Sequence, residues 1–253
     1  MDIQLKYQPI TFSNGLWKNS SHIPPEEESV TLTVNGNTWL SFRCTPSLLE
    51  EMAVGFLFNE HIINSISEVE IIRLCENKKN VDIWLNHSAK RPEKWERTSG
   101  CMGGNTSLSN INEIVVMDKI QVEPQLIVDL YKLLISNQEI YKETRGIHCS
   151  LLSNGDTHHL VAEDIGRHNT LDKLAGLYLM DQKLWDQKII LTTGRISSEM
   201  IQKSARQGAG IIVSRTSPTK ASVEYAVNHN ITLIGYTRRN EFTVYSHPER
   251  III

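Results

Sequence analysis

The chain has no long hydrophobic run and no cysteine-rich segment. No apolar stretch approaches the roughly 20 residues that cross a bilayer, and the N-terminus lacks the hydrophobic region of a signal peptide. We therefore expect a cytoplasmic protein without a membrane partner. Because that compartment is reducing, the four cysteines are predicted to be thiols and not a disulfide framework: Cys44, Cys75, Cys101 and Cys149.

An excess of one charge is also missing. The formal net charge is −3, and charged residues make up 22% of the 253 residues. This balance gives no indication of a nucleic-acid partner, so any anion site must be local. The length is sufficient for one main domain with a smaller companion.

Several common catalytic motifs are absent. The sequence contains no P-loop, no Gly-x-Gly-x-x-Gly dinucleotide fingerprint and no Gly-x-Ser-x-Gly nucleophile elbow. A zinc site of the nucleobase-deaminase kind needs paired cysteines in Cys-x-x-Cys spacing, but Gly104 stands three positions after Cys101. These absences argue against the usual hydrolases, dehydrogenases and zinc deaminases.

The first part of the sequence predicts a sheet with one helix. Alternating apolar residues around the turn Asn35-Gly36-Asn37 are typical of a β-hairpin. A helix is predicted from Pro46 to Asn59 because apolar residues recur there at helical spacing, with Ser47 as its N-cap. Further elements are predicted as strands at 69–75 and 81–85 and a helix at 125–136.

From about Leu160 the pattern alternates between buried strands and short helices, which predicts parallel βαβ units. Pro218 follows Ser217, which fits an N-cap serine before a proline at the first helical position. The predicted strands are 189–191, 211–213 and 231–236, and the predicted helices are 168–179, 197–206 and 219–228.

Four loops follow predicted strands, and each carries an arginine. The carboxyl ends of parallel strands meet at one edge of a sheet, where ligands bind. Because arginine suits bidentate recognition of phosphate, four such loops predict an anion pocket. For any single loop, a solvated or helix-capping arginine is the alternative. The loops are 163–168, 193–195, 214–217 and 236–241.

Cys101 is the candidate nucleophile. It lies in the segment from Arg97 to Gly104, where glycines leave the thiol little steric cover and Arg97 or backbone amides would favour the reactive thiolate. A bystander cysteine in a loop is the alternative. The other three cysteines adjoin apolar, strand-like runs and are predicted to be small buried hydrophobic residues.

His168 and Asp172 stand four residues apart at the start of a predicted helix and therefore share a face. The pair could move protons. It could equally form a hydrogen-bonded cluster that orders Glu163 and Asp164. The residues leave both interpretations open.

Residues 163–173, Glu-Asp-Ile-Gly-Arg-His-Asn-Thr-Leu-Asp-Lys, resemble the signature of the formate dehydrogenase accessory sulfurtransferase (FdhD) family almost residue for residue. The likeness runs in consistent order from about Pro25 to the C-terminus. Other similar segments are 34–36, 55–60, 97–101, 146–148, 193–195 and 245–250.

The resemblance implies a deaminase-like three-layer α/β domain beside a smaller N-terminal β-containing domain, in a homodimer. We expect a polar segment at 1–29, the smaller domain at 30–95 and the α/β domain at 96–253. The family takes sulfur from a cysteine desulfurase as a cysteine persulfide. It delivers that sulfur to the bis-molybdopterin guanine dinucleotide cofactor, with molybdenum or tungsten, which formate dehydrogenase needs.

The resemblance also implies roles for residues. The carrier cysteine falls on Cys101, and no metal bound directly by the protein is expected. The arginine-bearing loops add Arg167 and Arg195 to the expected cofactor contacts. The segment that the family uses for the guanine dinucleotide falls on Tyr236, Thr237, Arg238, Arg239, Asn240 and Glu241.

Two departures from the family pattern stand out. Many members carry a second cysteine where Gly104 stands, so any mechanism here must work with one thiol in that loop. Members also often read Gly-Gly where Arg145-Gly146 stands, which indicates a changed small-residue contact. A non-catalytic, cofactor-binding chaperone of formate dehydrogenase is the alternative function.

Overall fold

A computed structural model gives the fold. The structure describes residues 8–92 and 120–252, and the backbone alone of residues 95–97 and 105–107. No helix within these ranges is both long and apolar enough to cross a membrane.

A four-stranded sheet and one helix make up most of the N-terminal part. In chain order the elements are β1 (Ile10–Ser13), β2 (Leu16–Asn19), β3 (Glu28–Val34), β4 (Asn37–Cys44), α1 (Leu49–Asn59), β5 (Val69–Leu74) and β6 (Asn80–Leu85). The sheet order is β4-β3-β6-β5, and β3 and β6 are parallel. Apolar residues alternate along β3 and β4, so one face is buried under α1. The separate β1–β2 hairpin lies in the segment interpreted as polar.

A six-stranded sheet with helices on both faces forms the rest. The elements are β7 (Trp95–Arg97), β8 (Asn105–Ser107), α2 (Pro124–Ser136), α3 (Glu139–Thr144), β9 (His148–Ser153), β10 (His159–Asp164), α4 (Arg167–Asp181), β11 (Ile189–Thr192), α5 (Ser198–Arg206), β12 (Ile211–Ser214), α6 (Lys220–Asn228), β13 (Thr232–Arg238) and β14 (Glu241–Ser246). The strand order is β10-β9-β11-β12-β13-β14, while β7 and β8 form a separate pair.

The six-stranded sheet is buried on both faces, which explains the nearly continuous apolar runs of its central strands. Leu151, Ile189 and Leu191 pack in one core with residues of α2. Leu152 and Ile190 face the other side and pack with residues of α4, α5 and α6. This arrangement confirms the predicted α/β class with three layers and βαβ units. The predicted division at 29/30 and 95/96 stays a prediction.

Helices α1 and α4 cross at two glycines. A Cβ atom at Gly55 would overlap the carbonyl oxygen of Asp172, and one at Gly176 would overlap that of Glu51. Only residues without a side chain allow two helix backbones to approach so closely. The crossing therefore joins the small sheet, through α1, to the helix layer of the large sheet.

The predicted start of α1 was wrong. The helix begins at Leu49, and the preceding Leu48 adopts a left-handed conformation with φ of 51°. The Ser47 side chain does not cap the helix. It lies instead 3.4 Å from the Lys173 ammonium, because the chain turns toward α4 before the helix starts.

The predicted N-cap of α6, Ser217, was also wrong, by two residues. Thr219 is the N-cap, and its hydroxyl oxygen accepts a hydrogen bond from the backbone N–H of Ser222 at 3.2 Å. In turn, the Ser222 hydroxyl oxygen accepts a hydrogen bond from the backbone N–H of Thr219 at 3.0 Å. This reciprocal capping box outweighs the local signal of Ser217 and Pro218, so the helix begins at Lys220.

Candidate functional site

Four strands end at the same edge of the six-stranded sheet. β11, β12 and β13 are mutually parallel, and β10 shares their direction because β10 and β11 both run antiparallel to β9. The loops 163–168, 193–195, 214–217 and 236–241 therefore leave from one edge, as predicted. Their arginines nevertheless do not all share one cavity.

A cavity of about 830 Å³ lies between the α2–α3 region and the ends of β12 and β13. Three arginines line it from the strand ends: Arg215, Arg238 and Arg239. The opposite wall consists of Tyr131, Lys132, Ile135, Ser136, Gln138, Tyr141 and Arg145.

The cavity is a cation-lined site. Lys132 has an acidic partner, Asp129, at 2.9 Å. Within the described part of the chain, the four arginines of the cavity form no ion pair, and no carboxylate lines the cavity. Such a site suits a phosphate-bearing ligand. Over the same residues, no group of three or more histidine, cysteine, aspartate or glutamate side chains could hold a metal ion.

Arg167 and Arg195 do not line this cavity. Arg167 is buried, and its Cβ atom lies 3.0 Å from the position that a Cβ atom at Gly194 would occupy. Gly194 thus lets the loop after β11 pass close over Arg167. Arg195 is exposed to solvent. The assignment of both arginines to the cofactor stays a prediction.

The segment 236–241, expected as a loop, is the tight end of a hairpin. β13 continues through Arg238, and the antiparallel β14 begins three residues later. Tyr236 has a left-handed φ of 54°, and its N–H donates to the carbonyl oxygen of Thr216 at 2.9 Å. This bond seats the hairpin on the loop after β12. Thr237 is buried, and the other residues of the segment are exposed.

Buried hydroxyl groups tie neighbouring strand ends together. The Ser214 hydroxyl donates to the carbonyl oxygen of Gly194 at 2.7 Å, and its oxygen accepts the N–H of Thr216 at 2.9 Å. Thr192 Oγ1 accepts the N–H of Gly194 at 3.1 Å and the hydroxyl of Ser150 at 3.0 Å. Satisfied buried networks rigidify their surroundings, so the loops after β11 and β12 are held in fixed positions.

The signature residues Asp164 and Lys173 form a fully buried ion pair at 2.7 Å. The Asp164 carboxylate also accepts the backbone N–H of Thr45 at 3.0 Å and of Gly166 at 2.8 Å, and the Asn169 amide at 2.8 Å. The Lys173 ammonium donates to the carbonyl oxygen of Thr45 at 3.2 Å. These bonds join the residue after β4 to the start of α4.

A second buried network surrounds Lys203 of α5. Its ammonium donates to both carboxylate oxygens of Asp172 at 2.8 Å and lies 3.6 Å from Glu60. Asn59 donates to Asp172 at 2.8 Å. Burial alone would lower the pKa of Lys203, but Asp172 and Glu60 raise it, so the ammonium stays charged. The network connects α1, α4 and α5.

The side chain of Glu163 does not take part in these two networks. Its two carboxylate oxygens accept the N–H groups of Ile140 at 2.8 Å and Tyr141 at 3.0 Å, at the start of α3. A carboxylate there satisfies N–H groups that have no partner within the helix and interacts favourably with the helix dipole. Glu163 therefore anchors α3 to the end of β10.

His168 adopts neither of the two arrangements considered from the sequence. Both oxygens of Asp172 bind Lys203, and neither ring nitrogen of His168 has a hydrogen-bond partner in the described structure. Its Nε2 lies 4.0 Å from Oε2 of Glu199. Burial, helped by the positive charges of Lys203 and Arg167, lowers the pKa of His168 to about 3. The imidazole is therefore neutral at physiological pH.

The described cysteines differ in burial. Cys44 and Cys149 are fully buried, as predicted, and burial raises the pKa of both thiols, for Cys44 to about 12. The prediction was wrong for Cys75, which is only partly buried in a turn after β5. Its thiol donates to Asn77 Oδ1 at 2.8 Å. The proposed carrier Cys101 lies outside the described residues, as do Gly104 and the side chain of Arg97.

Comparison with known proteins places this chain in one family. Residues 25–252 match the family model described as FdhD/NarQ family. Two proteins named "Sulfur carrier protein FdhD", from Staphylococcus aureus strains MRSA252 and Newman, are 34% and 33% identical over 263 aligned residues. The alignments cover 99% of this chain and 97% of each relative. The chain belongs to the FdhD/NarQ family, as the resemblance predicted.

A solved structure supports the fold independently. A crystal structure described as that of a formate dehydrogenase accessory protein from Desulfotalea psychrophila matches with a TM-score of 0.78 at 24% identity. The match covers 97% of this chain and 98% of that chain. At this identity the likeness establishes the shared fold.

The sequence pattern predicts the arginines at the strand ends but does not predict the opposite wall of the cavity. That wall consists of residues from α2 and α3, of Gln138 between these helices and of Arg145 after α3, and the helical pattern of this segment gives no indication of a ligand. The available signal is Arg145, which stands where family members often carry glycine and which indicates from the sequence only a changed small-residue contact. The structure places it in the cavity, with a left-handed φ of 61°.

Proposed function

We propose that the protein is a sulfur carrier required for formate dehydrogenase activity. Cys101 accepts sulfur from a cysteine desulfurase and passes it to a bis-molybdopterin guanine dinucleotide cofactor that holds molybdenum or tungsten. The observation that supports this proposal most directly is a cation-lined cavity at the strand-end edge of a chain that belongs to the FdhD/NarQ family. The cofactor is the cargo of the reaction, and its phosphate groups match the charge of this cavity.

The sulfur-transfer chemistry needs one thiolate. The Cys101 thiolate attacks the outer sulfur of the donor persulfide, which forms a new S–S bond on Cys101 and releases the donor cysteine as a thiolate. On delivery, this S–S bond breaks and Cys101 returns to the thiolate form, while the transferred sulfur takes two electrons from the reduced metal of the cofactor and becomes its sulfide ligand. Cys44 and Cys149 are poor alternatives because burial raises the pKa of their thiols.

The predicted cofactor contacts divide into two groups. Arg238 and Arg239 of the segment 236–241 line the cavity, and we assign them to the phosphate groups of the cofactor. Arg167 and Arg195 lie outside it, and we assign them to parts of the cofactor beyond the cavity. We expect the protein to act in the cytoplasm as a homodimer.

Mass spectrometry tests the carrier residue. After incubation with a cysteine desulfurase and cysteine, the wild-type protein should gain about 32 Da, the mass of one sulfur atom, and the Cys101→Ala variant should not. A Cys75→Ala variant is the matched control and should gain the mass. An equal gain in Cys101→Ala would show that another thiol carries the sulfur.

A second candidate function is a cofactor-binding chaperone without sulfur transfer. Gly104 favours it, since Gly104 stands where many relatives carry a second cysteine. Complementation separates the two functions. If Cys101→Ala restores formate dehydrogenase activity in a strain without its own accessory protein, the chaperone function is correct. If only the wild-type protein restores activity, the sulfur-carrier function is correct.

A further inference from the structure

We propose that Arg145 forms the second wall of a pyrophosphate site in the cation-lined cavity, and that Glu163 positions this wall. The shared ligand chemistry is the pyrophosphate group of a nucleotide. The inference rests on the proposed function only for the source of that pyrophosphate, the guanine dinucleotide cofactor. The site itself is argued from the cavity.

Positive charge approaches the cavity from two directions. Arg215, Arg238 and Arg239 come from the ends of β12 and β13, and Arg145 comes from the opposite wall after α3. A pyrophosphate placed between the walls could accept hydrogen bonds from both sides, which a single row of arginines cannot provide. The volume of about 830 Å³ is within the usual range for a small-molecule site and can hold a nucleotide.

The backbone at Arg145 supports a role for its side chain. Arg145 ends α3 in the left-handed region with φ of 61°, a conformation that suits glycine and costs energy for an arginine. Its guanidinium carbon lies 5.6 Å from the centre of the Tyr141 ring, which is a cation–π contact. The arginine therefore has an aromatic support and no acidic partner among the described residues.

Glu163 holds in position the helix α3, at whose end Arg145 lies. Its carboxylate binds the first N–H groups of α3, including that of Tyr141. The carbonyl oxygen of Tyr141 accepts the N–H of Arg145 at 2.9 Å. Glu163 is thus connected to Arg145 through one turn of helix, and it acts as a positioning residue because it does not itself line the cavity.

Tyrosines favour a nucleotide over a simple anion. Tyr131 and Tyr141 both line the cavity, and their rings offer flat surfaces on which a base can stack. An acidic peptide would also be attracted by the arginines, but it lacks the paired tetrahedral groups that bidentate arginines recognise. We therefore expect pyrophosphate-containing ligands to bind more tightly than peptides of equal charge.

Titration calorimetry on the full-length protein tests the site. The probes are inorganic pyrophosphate, GDP, ADP and an acidic peptide. Arg145→Ala should weaken pyrophosphate binding by about ten- to a hundredfold. Arg73→Ala removes an equal charge from an exposed position on β5 and should leave the affinity unchanged. Equal losses in the two variants would reduce the site to nonspecific charge attraction, and tighter binding of the peptide would indicate a protein partner.

An Arg145→Gly variant separates a ligand-binding role from a structural one. Glycine relaxes the left-handed backbone, so this variant should have a higher melting temperature than the wild type. It should nevertheless lose at least about tenfold in pyrophosphate affinity. If Arg145 were only structural, affinity would not fall while stability rises, and that result would overturn the proposal.

A double-mutant cycle tests the positioning role of Glu163. Glu163→Gln should weaken pyrophosphate binding by about threefold to tenfold, since it replaces one of the two oxygens that accept the helix N–H groups with an NH2 donor. The same change in the Arg145→Ala background should have almost no further effect. An undiminished effect in that background would show that Glu163 does not act through Arg145.

Failure of this inference can be distinguished from failure of the proposed function. Persulfide loading and pyrophosphate binding are measured separately on the wild-type protein. Binding that depends on Arg145 without any persulfide on Cys101 would retain the site and reject the carrier function. Persulfide loading together with binding that is insensitive to Arg145→Ala would reject the site and retain the carrier function.

Discussion

Two charged regions, one around α4 and the other between the α2–α3 region and the ends of β12 and β13, differ in whether their charges are paired. On the α4 side, Asp164 pairs with Lys173, and Asp172 pairs with Lys203, all of them buried. On the α2–α3 side, the arginines of the cavity have no acidic partners among the described residues. The first region holds the fold together, while the second is available for an external anion.

This contrast changes how the signature 163–173 is understood. Its many charged residues suggest a catalytic role, yet Asp164, Asp172 and Lys173 all form ion pairs within the protein. Glu163 is bound to backbone amides of α3. The signature therefore builds the junction between the sheets and supports the neighbouring site, and the arginines that line the cavity come from other segments.

The largest expected effect on stability concerns the region of paired charges around α4. Lys203→Met should destabilise the protein by about 3–5 kcal/mol because it leaves the buried carboxylate of Asp172 without its charge partner. Urea unfolding at neutral pH measures the change. The double variant Lys203→Met/Asp172→Leu should lose less than the sum of the two single variants, and strict additivity would contradict the pairing.

The glycine crossing should give the next largest effect. Gly176→Ala would place a Cβ atom onto the backbone of Glu51 and should cost about 1–3 kcal/mol in the free energy of unfolding. A glycine-to-alanine change inside a helix ordinarily stabilises by about 1 kcal/mol. The sign is therefore diagnostic, and a stabilised variant would contradict the close crossing of α1 and α4.

His168 should make stability depend on pH. Its pKa is about 3 in the folded protein and about 6.5 when exposed, so the unfolded chain binds one more proton between these values. Stability should therefore fall as the pH drops below about 6.5, by up to about 1.4 kcal/mol per unit. Arg167, His148 and Lys203 contribute to the low pKa of His168.

Unfolding measured between about pH 7 and pH 5 tests this dependence. His168→Gln should reduce the slope, whereas His159→Gln, which changes an exposed histidine, should keep it. An unchanged slope in His168→Gln would mean that this imidazole is not the group responsible.

Substitutions in the cation-lined cavity should have the smallest effect on stability. Arg238→Ala and Arg239→Ala remove exposed side chains without acidic partners in the described structure, so the free energy of unfolding should change by less than about 0.5 kcal/mol. Pyrophosphate affinity should fall by about tenfold in the same variants. A stability loss similar to that of Lys203→Met would remove the distinction between the two regions.

The βαβ part of the fold was predictable because its information is local. The strands at 189–191 and 211–213 are short apolar runs between amphipathic helices, and the structure extends each by one residue. The start of α6 was not predictable from Ser217 and Pro218, since a tertiary arrangement and the Thr219 capping box decide it. Local patterns compete at such positions, and the better satisfied backbone wins.

The candidate site was predictable only in part for a related reason. The parallel strands guarantee that their loops share an edge, so the position of Arg238 and Arg239 followed from topology. The opposite wall depends on the packing of α2 against one face of the sheet and on the hydrogen bonds of Glu163 to α3, which involve residues far apart in sequence. From the sequence, Arg145 could be suspected only because it stands where family members often carry a glycine.

Adjacent carboxylates of one strand serve different layers. Successive side chains of β10 alternate across the sheet, so Glu163 reaches α3 while Asp164 reaches α4. The position of a residue in β10, odd or even, therefore decides which helix layer its side chain contacts. Inserting a single residue ahead of Glu163 would exchange the faces on which the two carboxylates lie, whereas inserting two residues would keep each carboxylate on its present face. The spacing of this motif is thus constrained by parity as well as by residue type.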